Sequence, residues 1–281
     1  MKIGRVTHLA DLGRGAGSQV FLVRREEDGH LYALKVVPVG DPKTRKFLAQ
    51  ARKEYDAGQL IDHPNLMKVH CLELDGGWFH RLREARLLLE YVPGVTMNTL
   101  PVLPVGRLVR VFERVAGALA HMHGRGVVHA DMKPHNLILD RGTQVKVIDY
   151  GLARIHGEVR VRVQGTPGYM APETASHKLV DERTDVFSLG ATMYRLLTGQ
   201  TPPQVAECAL LGEQHFNRSL RPVGEFNPAA PGELCDLIRR CLSYSPDRRP
   251  ASMEEVRDIL NDLAEAQENR LGPAGSGRAE S

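Results

Sequence analysis

The hydrophobic pattern of this 281-residue chain changes once, at Pro93-Gly94, and that change restricts the architecture more than any other feature. From Met1 to about Tyr91 the apolar residues fall in short strand-like runs. Runs 20–23 and 31–37 are joined across Asp28-Gly29, a favoured hairpin pair, and 66–74 and 86–91 supply two further strands. Between them, residues 42–61 carry Phe47, Ala51 and Tyr55 at four-residue spacing, one face of a helix. After Pro93-Gly94, the residues Leu108, Val111, Phe112, Val115, Leu119 and Met122 recur at the three- and four-residue steps of an amphipathic helix. Residues 185–198 are apolar nearly all round, which predicts a buried helix, and 254–263 is the predicted last helix. Residues 267–281, rich in Gly, Ala, Ser and charge without periodicity, predict a disordered tail. The pattern implies an α+β chain, one large domain or two lobes sharing a cleft.

Composition excludes several classes. At 42% hydrophobic and 25% charged residues the chain is an ordinary globular sequence. Its net charge of +3 comes from dispersed Lys and Arg, which demands neither nucleic acid nor an anionic membrane as partner. Cys71, Cys208, Cys235 and Cys241 form no Cys-x-x-Cys spacing and are expected as reduced thiols. No apolar run approaches the roughly 18 residues of a membrane span, and residues 1–14 lack the apolar core of a targeting segment. A cytoplasmic location is expected.

Leu12-Gly13-Arg14-Gly15-Ala16-Gly17-Ser18-Gln19-Val20 is a glycine cluster of the kind that lets backbone N–H groups approach phosphate oxygens, or that makes an ordinary tight turn. A hairpin follows it, where a dinucleotide-binding loop would open a helix, and there is no Gly-Lys-Ser/Thr. On the second hairpin strand, Lys35 stands within Tyr32-Ala33-Leu34-Lys35-Val36. An ammonium there either snorkels from a sheet edge or needs an anionic partner, because burying it bare is costly. Glu54 on the following helix is a candidate partner, or a solvated helix glutamate.

Downstream, Val127-Val128-His129-Ala130-Asp131-Met132-Lys133-Pro134-His135-Asn136 packs polar groups between apolar runs, and a later strand ends in Ile148-Asp149-Tyr150-Gly151. In this set and order, over roughly residues 5–264, the sequence resembles the eukaryotic-type (Hanks-type) serine/threonine protein kinases, with a compactness similar to bacterial members. The resemblance implies a bilobal fold: an N-lobe over 1–91, with a small antiparallel sheet and one helix, a mainly helical C-lobe over 92–264, and a tail over 265–281.

What the resemblance implies for function is transfer of the γ-phosphoryl group of ATP to protein Ser/Thr hydroxyls, with Mg²⁺ as cofactor and Mn²⁺ as a substitute. Lys35 would hold the α and β phosphates, positioned by Glu54. Asp131 would take the proton of the attacking hydroxyl, and Lys133 would neutralise the transferring group. Asn136 and Asp149 would ligate the metal. Gly13, Arg14, Gly15, Ala16, Gly17, Ser18, Val20, Ala33 and Ile138 would line the nucleotide site, with the Glu90 carbonyl and the Val92 backbone at the adenine edge and Leu89 behind them. Residues 165–173 resemble the substrate-docking segment, with Arg249 pairing Glu173. Lys133, two residues after the acid, and Thr166, able to bridge Asp131 and Lys133, favour Ser/Thr over Tyr as acceptor. Antibiotic and choline kinases, similar in fold, do not usually carry the Asp-x-Lys-Pro-x-Asn run. The competing function is a catalytically silent, nucleotide-binding scaffold; against it stand Lys35, Glu54, Asp131, Asn136 and Asp149, all present.

The sequence departs from the family pattern at several places, Ser18 for the third glycine and Tyr150 for the common phenylalanine among them. Ala130 stands where an arginine usually precedes the catalytic aspartate, and residues 152–165 contain no Ser, Thr or Tyr. Together these predict activity without activation-loop phosphorylation. Residues 154–163 alternate Val and Arg as in a half-buried strand whose arginines face solvent or acidic substrates. Gly58 falls where a bulky apolar residue is common, so either pre-assembly of the active state suffers or a neighbour, Ala57 or Leu60, fills the space.

Overall fold

The computed structural model describes residues 2–15, 17–39, 44–76, 82–140, 144–156, 165–177, 180–204 and 212–271. The first part is a five-stranded antiparallel sheet in the order β1-β2-β3-β5-β4, from β1 (Val6–Gly15), β2 (Ser18–Arg25), β3 (Leu31–Pro38), β4 (Val69–Gly76) and β5 (Leu82–Glu90). One helix, α1 (Arg45–Leu60), crosses between β3 and β4. The β2–β3 hairpin turns at Gly29, whose φ of 70° suits glycine, and the Asp28 carboxylate accepts from Arg25, from the His30 N–H and from the Tyr32 hydroxyl. Alternation sorts β3 between two faces. Tyr32 and Leu34 join Ile3, Val23, Cys71 and Leu88 on one side, while Ala33 and Val37 join the main core with Ala51 and Ala57 of α1 on the other. Lys35 shares the face of Ala33 and Val37, toward α1.

Strand β1 was absent from the sequence expectation. It is an edge strand, exposed at nearly every position, so burial imposes no alternation for periodicity to register. The 66–74 run begins its strand only at Val69, and Leu66 instead forms an isolated parallel bridge to Val147.

The second part is mainly helical. Its helices are α2 (Val105–Gly124), α3 (Pro172–His177), α4 (Glu182–Thr198), α5 (Gly212–Ser219), α6 (Val223–Phe226), α7 (Gly232–Cys241) and α8 (Met253–Leu271). Small strands β6 (Val95–Thr96), β8 (Leu137–Leu139) and β9 (Val145–Val147) form one sheet, and β7 (Val127–Val128) pairs β10 (Arg154–Ile155). All six periodic apolar residues of α2 are fully buried. The central helix α4 starts at a capping box, in which the Asp181 carboxylate accepts from the N–H groups of Arg183 and Thr184, and stops at Gly199 with φ 72°. It is buried from Thr184 to Tyr194, and Gly190 lets α7 approach so closely that a Cβ would stand 2.6 Å from Cys241 Cβ.

Two expectations need correction. The last helix runs from Met253 to Leu271, so the tail does not begin at 265 or 267. Its final turns lack apolar periodicity but are held to α2 by polar contacts, Arg110 reaching Glu268 at 2.7 Å. Residues 272–281 lie outside the described residues, as do 157–164, so of the predicted 154–163 strand only β10 is described. At Gly58 the space of the missing side chain is filled from β4 by Val69; Leu60 is exposed. Among the described residues no helix is long and apolar enough to cross a membrane.

Candidate active site

The strand register delivers the lysine. Lys35 pairs Val20 on β2 and Leu87 on β5, so it sits on a central strand and the sheet-edge reading fails. Its Nζ donates to Glu54 Oε2 at 2.6 Å and lies 3.6 Å from Asp149 Oδ1. Glu54 is buried on α1, not solvated. Burial disfavours the Lys35 ammonium, but the facing carboxylates of Glu54 and Asp149 outweigh it and hold its pKa above the ordinary lysine range. Asp149 is held below the usual carboxylate range because Lys35 and the Gly151 N–H overcome its own desolvation. One cation and two carboxylates thus meet where the sheet, α1 and the Asp149-Tyr150-Gly151 turn converge.

The second cluster lies on the loop after β7. Asp131 accepts from Lys133 Nζ at 2.6 Å on one oxygen and from the Thr166 hydroxyl at 2.8 Å on the other, and Lys133 also donates to Thr166 at 2.8 Å. The loop is fixed from beneath by Asp185 of α4, whose carboxylate accepts from the N–H groups of His129 and Ala130 at 2.8 Å each, with His123 Nε2 at 2.9 Å. Ala130 has φ 64°, a conformation unfavourable for a residue with a Cβ, and the Asp185 contact holds it there. Despite full burial, Asp185 is held below its ordinary pKa by the His123 hydrogen bond and the nearby donors. The amide of Asn136 donates to the Asp131 carbonyl at 2.8 Å, and the Ile148 N–H donates to the Asn136 carbonyl at 2.9 Å, which brings Asn136 beside Asp149.

The glycine cluster turns β1 into β2, with Gly15 opposite Ser18, Arg14 opposite Gln19 and Gly13 opposite Val20. Ala16 lies outside the described residues. The side of Gly17 is taken up by the ring of Phe47 from α1, leaving no room for a Cβ. Ala33 is paired with Leu89, both buried, and Ile138 packs against Gly94 beside Val92 at the junction of the two lobes. The Glu90 side chain spans that junction, accepting from the Lys68 N–H at 2.9 Å and from Lys146 Nζ at 2.7 Å.

Asn136 and Asp149 suit a hard cation. With its amide group turned to Asp131, Asn136 has its side-chain oxygen left without a protein donor among the described residues, next to a carboxylate kept ionised.

Sequence reasoning placed Asp185 only at the start of a supporting helix that the resemblance implies, and missed its hold on the catalytic loop, the role of Lys146 and the packing of Phe47 on Gly17. A buried carboxylate inside an otherwise apolar helix needs partners, as a bare ammonium on a strand does, and that rule applied at Asp185 would have found the catalytic-loop clamp. Nothing local marks Lys146, whose partner lies 56 residues away.

The model of the protein kinase domain family matches residues 6–261. The chain is 31% identical over 274 residues to serine/threonine-protein kinase pkn3 of Myxococcus xanthus, covering 89% of this chain and 48% of that one. It is 29% identical over 282 residues to serine/threonine-protein kinase PknB of Mycolicibacterium smegmatis (92% and 44%), and 25% identical over 262 residues to serine/threonine-protein kinase PrkC of Bacillus subtilis (90% and 39%). It spans less than half the length of each of these relatives. With its five-stranded antiparallel lobe, its helical lobe and the two polar clusters between them, the chain belongs to the protein kinase domain family.

Proposed function

We propose that the chain is an ATP-dependent protein serine/threonine kinase. The observation that carries this reading is the position of Asp131, oriented through both carboxylate oxygens by Lys133 and Thr166, while Lys35, Glu54 and Asp149 form a separate cluster of one cation and two carboxylates. Asp131 accepts the proton of a Ser or Thr hydroxyl as its oxygen bonds to the γ-phosphorus and the bond to the β-phosphate oxygen breaks, releasing ADP. Lys133 offsets negative charge on the transferred group, and Lys35 holds the α and β phosphates in place under the turn formed by Gly13 to Ser18. Asn136 and Asp149 would hold Mg²⁺, which would supply neutralisation of phosphate charge. The Glu90 carbonyl and the Val92 backbone would receive the adenine edge, with Ala33, Ile138 and Val20 lining the site. The N-lobe over 1–91 and the C-lobe, from 92 to the end of α8 at Leu271, would hold that nucleotide between them.

The silent-scaffold alternative has no observation in its favour, since every group the transfer requires is present. A reducing, cytoplasmic setting fits Cys71, Cys235 and Cys241, free thiols in the structure, of which burial pushes Cys241 up to about 12. The test is transfer from γ-labelled ATP with Mg²⁺ to a generic protein acceptor beside an Asp131→Asn control. Phosphoserine or phosphothreonine that disappears in the control supports the reading; bound nucleotide without transfer sinks it.

A further inference from the structure

A cleft of about 110 Å³ opens next to the catalytic loop, between Pro134 and Arg195 on the last turn of α4. Its lining is mixed: Met97, Leu100, Leu103 and Leu108 supply apolar surface beside the amide of Asn98, and Val102 stands 75% exposed. Arg195 is the sole ionisable residue in that lining. Its guanidinium donates to the Gly199 carbonyl, and no carboxylate among the described residues pairs with it. Three other arginines of this lobe do have carboxylate partners: Arg183 with Asp247, Arg221 with Glu225 and Arg248 with Glu213.

The surroundings deepen the bias toward an anion. The neighbouring cation, Lys133, is engaged by Asp131, and His135, exposed beside Pro134, adds no negative charge. On the other side the field of Arg195 reaches Tyr169 in the segment after Thr166, opposing the burial that raises that phenol. Arg195 lines one cleft with Pro134 of the catalytic loop, and Thr201, six residues further on, packs against Gly168 of the docking segment. A half-buried guanidinium flanked by apolar side chains lacks the bidentate anionic partner its geometry favours, and its partial shielding from water strengthens such a pair.

We propose that Arg195 is a specificity-determining residue that selects protein substrates carrying an acidic side chain near the acceptor hydroxyl. The proposal rests on the reading of the site as a protein kinase. Pro134 is three residues from Asp131, a span of at most about 10 Å, and an extended peptide rises about 3.3 Å per residue. The acid accordingly falls within about three or four positions of the acceptor.

The test uses the full chain and peptides that share one serine acceptor and carry Glu, Gln or Lys at the flanking positions. Wild type should use the Glu peptide with a kcat/KM about tenfold above the Gln peptide, a preference that shrinks as salt is raised. Arg195→Gln should bring the ratio to about twofold or less, and Arg195→Glu should turn the preference toward the Lys peptide. Circular dichroism checks the fold of each variant, and if Arg195→Glu fails to fold the Gln variant decides. Equal use of Glu and Gln peptides by wild type, or an acidic preference that survives substitution of Arg195, overturns the proposal and leaves the kinase reading standing. Absence of transfer to any peptide or protein overturns both.

Discussion

Arg249 and Glu173 meet inside the helical lobe through two parallel hydrogen bonds of 2.8 Å each. The same guanidinium donates to the carbonyls of Arg183, Ser243 and Tyr244 and lies over the Phe187 ring at 4.9 Å. Removing it leaves a buried carboxylate without its cation, with the Thr184 hydroxyl still donating to it, and takes a donor from three carbonyls. Arg249→Ala should lose about 3–5 kcal/mol of stability, read as a lower urea midpoint. An unchanged midpoint would count against the pair as a support of the lobe.

The Thr166 hydroxyl both donates to Asp131 and accepts from Lys133, so it sets the distance between the two. Thr166→Ser keeps that hydroxyl and should stay within a few-fold of wild-type kcat. Thr166→Val removes it at similar shape and should lower kcat by about 10- to 100-fold with little change in the KM for ATP. Equal activity of the Ser and Val variants would remove the hydroxyl from the account.

Phe47 and Gly17 occupy one space, so Gly17→Ala should push the glycine turn out of place and raise the KM for ATP. Phe47→Ala makes the room back. Its combination with Gly17→Ala should show a smaller defect than the sum of the single variants, the signature of contacting residues. Strict additivity in nucleotide-binding measurements would refute the contact.

Asp185 carries a pH prediction. Its native pKa lies below the ordinary aspartate value of about 3.9, because the His123 contact and the loop N–H groups overcome burial. The stability this carboxylate contributes is present above that value and is lost as pH falls through the lower native pKa. In unfolding experiments between pH 6 and 2, wild type should lose more stability than Asp185→Asn, which starts lower. Parallel curves would show that the charge of Asp185 contributes nothing.

Ala130 offers no cation to a phosphate, and residues 152–165 offer no hydroxyl to carry one. Phosphatase-treated protein should therefore retain its transfer rate within about twofold. Activity abolished through a site in that segment would be the contrary result.

Lys35 was readable from the residues alone as an ammonium that needs a carboxylate, with Glu54 as one candidate; the grouping of Asp131, Lys133, Asn136 and Asp149 was carried by the resemblance to protein kinases. The strands were readable where one face is buried, as in β3, and unreadable in β1, where exposure erases the alternation. The end of α8 was unreadable for a related reason: its last turns are held by Arg110 to Glu268, a contact 158 residues apart that leaves no periodic trace. Glu90 was readable only for its backbone, since the Lys146 that holds its side chain belongs to a strand of the other lobe. At Gly58 the filling residue came from β4, beyond the reach of any helix-local argument.

The packing of Val69 into the place of a side chain at Gly58 has a genetic consequence. Glycine inside α1 costs about 1 kcal/mol relative to alanine, yet any larger residue there meets Val69, and a smaller residue at 69 alone leaves a void. The two positions thus behave as one heritable unit. A lineage can trade this arrangement for one with a bulky residue on the helix only by changing both, and each single step passes through a damaged protein.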